Sequence, residues 1–335
     1  MQTQTKTESI HQAASSGNII AIKRWLKSGV DVEAIDINGG RPIHHAAKNG
    51  RYKTVKFLIK IGCEINAKDK FLETPLHVCS ESRKKSIVNL LITAGSNVNS
   101  RSIRGYQAIH SASIRGRFEV IKILLSNGAK VNSRNNSGET SLYLSARNGC
   151  KKSCQILIDY GAKVALRKIN GEQSIHAASF SRSIEVLKIL IDNGANINAE
   201  SLDKSQPIHE ACSWGYKDSK KLKVLKFLIK HGSIVNAKNI YGNEPIHIAA
   251  DQDDEKIVKE LIKYGANVNA TNIHGDTPLL ESLGNEKMVL FLLKNGSDVN
   301  SCNYFGETPL SKASELIFEG EEVVRILLEH GADVN

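Results

Sequence analysis

The chain carries eleven histidines and six cysteines, two residue types that commonly bind metals or act as nucleophiles. Seven histidines occupy the same place in a unit of about 33 residues: His11, His44, His77, His110, His176, His209 and His247. Stacked helices lie about 8–10 Å apart, whereas zinc ligands lie about 2.0–2.1 Å from the metal. We therefore expect structural histidines, each hydrogen-bonding within its own part of the fold, rather than a metal site.

The cysteines also follow the repeating unit. Cys79 and Cys212 fall where most units have alanine, and Cys63 replaces the alanine after a glycine, so we expect small buried side chains. Cys150 and Cys154 lie one helical turn apart, a spacing that also suits a redox pair or half of a metal site. Six cysteines in a long chain are weak evidence for disulfides, and we expect a reducing compartment.

Motifs for catalysis are missing from the sequence. No Ser-His-Asp or Cys-His arrangement stands out, and neither Gly-x-x-x-x-Gly-Lys-Ser/Thr nor Gly-x-Gly-x-x-Gly occurs. We predict no enzymatic activity, no cofactor and no bound metal.

These residues belong to a recurring sequence motif, here called the phrase, which first begins at Asp36. It returns every 33 residues as far as Ser201, and then after 38, 33 and 31 residues. A fixed period of this length indicates a stacked repeat protein that grows by adding layers. We predict a single domain over 1–335, with repeats at about 8–35, 36–68, 69–101, 102–134, 135–167, 168–200, 201–238, 239–271, 272–302 and 303–335.

Glycines punctuate every repeat. One stands fourth in the phrase (Gly171), another lies between two short helices (Gly50), and a third follows the second helix (Gly194). The third favours a left-handed helix C-cap. Repeat seven has five extra residues around 216–221. The departures from the first two glycine positions are Leu72 and Lys204 at the first, and Arg83, Arg182 and Asp253 at the second.

The segments between the glycines predict two helices per repeat. Thr-Pro, as in Thr74-Pro75, opens the first, because Thr caps a helix and Pro is favoured at its first position. The second helix is apolar at i, i+3 and i+4, as in Val120, Ile123 and Leu124, which predicts one buried stripe. The polar tail of each repeat should form one arm of a hairpin finger whose tip is the next phrase.

These residues resemble the ankyrin repeat, whose phrase is Asp-x-x-Gly-x-Thr-Pro-Leu-His-x-Ala-Ala followed by Gly-Ala-Asp-Val-Asn-Ala. The match is close at Asp69 to His77 and at Gly331 to Asn335, and it covers about Glu8 to Asn335. The resemblance implies an all-α solenoid of stacked helix-turn-helix units with β-hairpin fingers. It also implies an L-shaped array whose concave side, lined by fingers and first helices, binds proteins without catalysis.

Binding residues should lie where the repeat does not dictate the residue type, at the finger and at the end of the first helix. Trp, Tyr and Arg are the commonest binding hot spots. The middle repeats hold these candidates: Arg104, Tyr106, Arg115, Arg147, Phe180, Arg182, Trp214 and Tyr241. The alternative for each aromatic residue is packing against a neighbouring finger or, for Trp214, against the insertion of repeat seven.

The net charge of +10 favours a protein partner with an acidic and apolar surface, bound by a monomer. The alternative is a basic module that binds nucleic acid or acidic lipid, although no helix has a basic run with base-reading neighbours.

The N-terminus has no apolar signal region, and no stretch approaches 18 apolar residues, so we expect no signal peptide and no membrane span. We expect an intracellular, cytoplasmic protein. Its Lys-, Ile-, Asn- and Ser-rich composition is typical of an AT-biased genome and favours a host-directed effector. The last helix has no polar cap, so the chain could also be the interaction module of a longer effector or adaptor truncated at Asn335.

Overall fold

The computed structural model describes residues 8–213, 219–316 and 320–334. The chain divides into two compact units, Met1–Ile169 and Asn170–Asn335. Within the described residues the regular structure is helical, apart from one isolated antiparallel bridge between Arg134 and Thr140. The predicted all-α fold class is therefore confirmed.

Helices alternate between a short first helix and a longer second helix. The N-terminal unit contains α1 (Ile10–Ser16), α2 (Ile19–Lys27), α3 (Pro42–Lys48), α4 (Tyr52–Lys60), α5 (Pro75–Ser80), α6 (Lys85–Thr93), α7 (Ala108–Ile114), α8 (Phe118–Ser126), α9 (Ser141–Arg147) and α10 (Lys151–Asp159). The C-terminal unit contains α11 (Ser174–Phe180), α12 (Ile184–Asp192), α13 (Pro207–Cys212), α14 (Ser219–Lys230), α15 (Pro245–Asp251), α16 (Glu255–Lys263), α17 (Pro278–Glu281), α18 (Glu286–Lys294), α19 (Pro309–Ser314) and α20 (Gly320–Glu329).

The core of each unit lies between its helix pairs. In α8, Val120 and Leu124 are buried as predicted, but Ile123 is only partly buried. Its predicted place is taken by Ile121, because α8 packs between its own first helix and the neighbouring second helices, which widens the buried face. Cys79 and Cys212 are fully buried and behave as the small apolar residues expected at their positions.

Most fingers are tight turns closed by their first residue. In the finger at 69–73, the Asp69 N–H donates to the Glu73 carbonyl at 3.1 Å. The Asp69 carboxylate accepts from the backbone N–H groups of Phe71 (2.9 Å) and Glu73 (2.8 Å). Asn135 and Asn239 close their own fingers in the same way. The finger is thus held by an Asx-type turn rather than by an extended β ladder.

Neighbouring fingers are joined by one backbone hydrogen bond per repeat. The N–H of Ile103 donates to the Phe71 carbonyl at 2.8 Å, and the N–H of Leu202 donates to the Asn170 carbonyl at 2.9 Å. This close approach explains why glycine stands at the first glycine position of most repeats. Gly171 has φ +85°, and a Cβ added to it would lie 2.5 Å from the Leu202 nitrogen.

The glycine replacements keep the glycine conformation at four of five positions. Leu72, Arg182, Lys204 and Asp253 have φ between 52° and 58°, in the left-handed region. Arg83 differs, because Ser82 Oγ accepts from the Lys84 N–H at 3.2 Å and closes that turn without a left-handed residue. The position in the repeat therefore predicts the left-handed conformation at four non-glycine residues, and this conformation strains their backbone.

The repeat histidines clamp each first helix to the next finger. The Gln107 N–H donates to Nδ1 of His110 at 3.0 Å, and Nε2 of His110 donates to the Ser133 carbonyl at 3.1 Å. A similar pair of bonds holds His44, His77, His176, His209 and His247, whose Nε2 atoms bond to a carbonyl just before the next finger or, for His77 and His176, to the carbonyl of its last residue. The prediction of structural histidines is confirmed, and this bonding requires the neutral ring, since Nδ1 must accept.

Asparagine forms a second clamp, which holds the backbone just after the end of the second helix. Asn99 Nδ2 donates to the Gly128 carbonyl at 2.9 Å, and its Oδ1 accepts from the Lys130 N–H at 3.1 Å. In repeat five, Tyr143 stands at the histidine position and Ala165 at the asparagine position.

The close approach at Gly171 can be separated from its backbone strain by comparison with Gly194, which has φ +84° and no atom within 4 Å of an added Cβ. We expect Gly194→Ala to cost about 1–2 kcal/mol of unfolding free energy from left-handed strain. Gly171→Ala should cost clearly more, because the finger contact must also shift. Urea unfolding followed by circular dichroism measures both, and equal losses would contradict the role of finger contact.

Stability should fall as the pH drops from about 6.5 to about 4. Burial lowers the pKa of His110 and His247 to about 4, so in this window the unfolded chain binds protons that the folded chain refuses. Each of these residues can remove about 3 kcal/mol at the acid end. In urea titrations, His110→Asn should be less stable at neutral pH but should lose less on acidification. A slope equal to that of the unsubstituted chain would refute this.

Candidate functional site

The predicted binding residues lie on fingers and at the ends of first helices. Arg104 and Tyr106 belong to the finger at 102–106, Arg115 follows α7, and Arg147 ends α9. In the C-terminal unit, Phe180 ends α11, Arg182 follows it, and Tyr241 lies on the finger at 239–243. Trp214 lies outside the described residues.

Arg104 and Tyr106 line one cavity of about 360 Å³ in the N-terminal unit. Its walls come from two successive fingers, from the residue that follows α5 and from α7: Phe71, Glu73, Glu81, Ser102, Ile103, Arg104, Tyr106, Ser111 and Ile114. The lining combines apolar side chains with carboxylates and one guanidinium. Such a cavity suits a side chain of a bound polypeptide.

The carboxylates of this cavity are unevenly solvated. Burial raises the pKa of Glu73, nearby Asp69 and Glu81 add to the rise, and Lys48 and Arg104 oppose it. Glu81 lies at the rim and accepts from Nε of Arg115 at 3.3 Å. Arg115 therefore borders the cavity, and its charge is partly neutralised by a carboxylate of its own chain.

Glu139 links two other candidates. The Tyr106 hydroxyl donates to Glu139 Oε2 at 3.3 Å, and Arg147 Nη1 lies 3.7 Å from Glu139 Oε1. Burial and the neighbouring Glu139 carboxylate raise the pKa of Tyr106. Tyr106, Glu139 and Arg147 thus form a polar chain from the finger to the end of α9, and that chain orients the Tyr106 ring at the cavity.

The candidates of the C-terminal unit are spread more widely. Phe180 and Tyr241 are both exposed, at 46% and 52%, but no described contact joins them. Arg182 has a left-handed backbone with φ 58°. The structure does not gather these three into one cavity within the described residues.

The fingers expose a row of apolar residues that the candidate set did not include. The second residue of four successive fingers in the C-terminal unit is large and apolar, and these residues form the fingertip row: Leu202, Ile240, Ile273 and Tyr304. Their side chains are 46–76% exposed. Ile37, Ile103 and Ile169 hold the same position in the N-terminal unit and are also exposed. A 33-residue period of apolar residues at this position was the signal that could have found them.

The described part of the repeat-seven insertion forms part of a helix and of a buried ion pair. Ser219 to Lys221 extend the N-terminal end of α14, and the Lys221 ammonium lies 3.1 Å from the Asp254 carboxylate, with both side chains nearly inaccessible. Tyr216 to Asp218 lie outside the described residues.

Burial suppresses thiol chemistry at four of the six cysteines, which are Cys63, Cys79, Cys154 and Cys212. All six cysteines are free, and Cys154 is fully buried with the pKa of its thiol raised by burial. This environment disfavours the thiolate that redox chemistry requires. Across the described residues, no group of three His, Cys, Asp or Glu side chains could hold a metal ion.

A family model for ankyrin repeats (3 copies) matches the chain at residues 10–102, 76–168, 109–201, 175–272 and 246–335. The chain belongs to the ankyrin repeat family. Ankyrin repeats are generally protein–protein interaction modules and are typically non-enzymatic. The expected family is therefore confirmed over nearly the whole chain.

Among solved structures, the crystal structure of the human ASB11 ankyrin repeat domain is similar, with a TM-score of 0.62 and 27% sequence identity. The similarity covers 68% of this chain and 99% of that chain. A comparison with curated protein sequences gave no significant match. Among the described helices of this ankyrin chain, none is long and apolar enough to cross a membrane.

The ion pair at the cavity rim should contribute little to the stability of the ankyrin fold. The Arg115 and Glu81 side chains are 56% and 47% exposed, so solvent screens them. A double-mutant cycle with Arg115→Ala and Glu81→Ala should give a coupling below about 1 kcal/mol in urea unfolding. Lys221→Ala should instead cost about 3–5 kcal/mol, since it leaves the buried Asp254 without its cation. Comparable effects at the two pairs would contradict this assignment.

Proposed function

We propose that this ankyrin-repeat chain is a non-enzymatic scaffold that binds a partner protein through its fingers and first helices. The contact residues proposed in the N-terminal unit are Arg104, Tyr106, Arg115 and Arg147. Tyr241 contributes in the C-terminal unit together with the fingertip row. Six free thiols suit a scaffold that works in a reducing compartment.

Exposed apolar fingertips carry this proposal. Large apolar side chains are normally buried, and a run of them on a surface indicates a site of association. Four successive fingers of the C-terminal unit present such residues, and each finger is tied to the next by a backbone hydrogen bond of 2.9–3.0 Å. A partner would therefore meet a prearranged surface and would lose little entropy in ordering it.

The cavity of the N-terminal unit offers a complementary kind of contact. Phe71, Ile103 and Tyr106 supply apolar surface, while Arg104 and Glu81 supply opposite charges at its border. A partner side chain that enters this cavity can be selected by shape and by hydrogen bonding. The Tyr106–Glu139 bond holds one wall in place before binding.

The contribution of the fingertip row can be tested with a displayed peptide library selected on the full chain. Binding of the selected peptides should weaken more than about tenfold in Ile273→Ser, because truncation of an interface anchor typically costs 2 kcal/mol or more. Ile234→Ser is the matched control, since Ile234 and Ile273 are both 52% exposed but Ile234 lies off the fingers. The proposal fails if the two substitutions weaken binding equally while both variants keep the unfolding midpoint of the unsubstituted chain.

A further inference from the structure

Charge is divided unequally along this chain. Residues 1–169 contain 28 Lys and Arg against 11 Asp and Glu, whereas residues 170–335 contain 17 against 24. The positive net charge of the protein thus arises entirely in its N-terminal unit. A charge excess of this size can steer and hold a partner of opposite sign.

Much of this positive charge lies at one edge of the N-terminal unit. The turns between first and second helices, at 48–53, 81–86, 114–119 and 147–152, contain eleven Lys or Arg against two acidic residues, Glu81 and Glu119. We name these four turns the turn edge. Ten of its cations are exposed, and Arg117 is half-buried. The equivalent turn at 251–256 in the C-terminal unit contains four acidic residues and one lysine, so the fold itself does not require cations there.

The four turns touch one another in order. A Cβ on Gly50 would lie 3.1 Å from the Lys84 side chain, and Nε of Arg117 donates to the Glu81 carbonyl at 2.7 Å. Gly116 in turn packs against the Cys150 side chain. The turn edge is therefore one continuous surface of the N-terminal unit and not a set of scattered charges.

The described residues give carboxylate partners to three of the eleven cations. Lys85 lies 3.2 Å from Glu119, and Arg115 and Arg147 lie 3.3 Å and 3.7 Å from Glu81 and Glu139. The turns also precede the N-terminal ends of α4, α6, α8 and α10, where helix dipoles disfavour cations. An acidic ligand would relieve both the mutual repulsion of the cations and their unfavourable position.

A cavity of about 360 Å³ opens in the middle of the turn edge. Its apolar floor is made by Phe118, Val120 and Gly116, and Arg83, Arg117 and Glu119 border it. The cavity is suited to an apolar side chain whose sequence neighbours are acidic. Charge and shape together thus describe a ligand that is acidic along its length and apolar at intervals.

We propose that the turn edge is a second docking surface, which binds an acidic polypeptide segment and takes one of its apolar side chains between Arg83 and Arg117. A polypeptide fits better than nucleic acid for two reasons. Glu119 lies at the cavity and would repel a continuous phosphate backbone, whereas a polypeptide can place an uncharged residue there. The ammonium of Lys152 lies 5.0 Å from the centre of the Phe118 ring and occupies the face on which a base would stack.

The probe for this proposal is a fluorescent peptide of repeated Glu-Asp-Leu-Glu, titrated with the full chain at low salt. The edge variant carries Arg83→Gln, Lys84→Gln and Lys151→Gln, three exposed residues of the turn edge. It should bind the peptide at least about tenfold more weakly, as expected from the loss of several exposed charge pairs. Replacing Leu by Ser in the peptide should also weaken binding, because the cavity is then left empty.

The control variant carries Lys60→Gln, Lys130→Gln and Lys163→Gln, which remove the same charge from exposed positions away from the turn edge. Its affinity should stay within about twofold of that of the unsubstituted chain. Equal weakening in both variants would overturn the proposal, since net charge alone would then explain binding. Circular dichroism and urea unfolding confirm that both variants are folded.

Two further measurements decide the kind of ligand. An oligothymidylate of the same net charge should bind more weakly than the peptide at every salt concentration, and tighter binding would overturn the assignment to a polypeptide. Ile273→Ser should leave peptide binding unchanged, which separates this surface from the proposed fingertip interface. Concentration-dependent self-association that the edge variant abolishes would reassign the turn edge to a second copy of this chain.

Discussion

A single backbone hydrogen bond between successive fingers governs how this chain is built. The N–H of the second finger residue donates to the carbonyl of the third residue in the preceding finger, as from Ile103 to Phe71. This bond fixes the distance between repeats at the finger, and it brings the fourth finger residue close to the next backbone, where glycine at most positions avoids a Cβ contact. The histidine and asparagine clamps repeat the same fixed spacing at the start of the first helix and after the end of the second helix. The apolar faces of the helices fill the layers whose separation these bonds set.

The residues that maintain this spacing were predictable from the sequence, because the backbone conformation or a backbone hydrogen bond determines each of them. A left-handed turn is required at a fixed place in the repeat, so Leu72 and Lys204 adopt it although they are not glycine. The histidines were predictable for a similar reason, since their ring nitrogens bond to backbone groups that every repeat presents. Arg83 was not, because a serine hydroxyl two residues from the helix end closed its turn in another way. Local side-chain bonds of this kind change with single residues and do not follow the period.

The candidate site was less predictable. Ile103 and Ile273 have the residue type of a core position, yet the finger turns their side chains outward where the described structure places no layer over them. Burial in a repeat protein depends on which atoms of the neighbouring repeats lie opposite, and hydropathy alone does not report that. Arg115 and Arg147 have the residue type of a binding hot spot, but both lie beside carboxylates of the same unit. Residue type identified exposed cations, but only the structure shows what they face.

The turn edge consists of residues that do not pack between the layers. Their side chains can therefore vary without disturbing the fold. Its positions contribute one backbone turn each, and that turn forms with Arg83, with Gly116 or, in the C-terminal unit, with Asp253. Since layer packing supplies most of the stability of a repeat array, these positions can hold cations against the helix dipoles at modest cost. A cost of this kind, repeated in four successive turns and absent from the acidic turn at 251–256, has no origin in the fold. Recognition of an acidic ligand would account for these unfavourably placed cations. The charge of the turn edge is therefore best explained by binding.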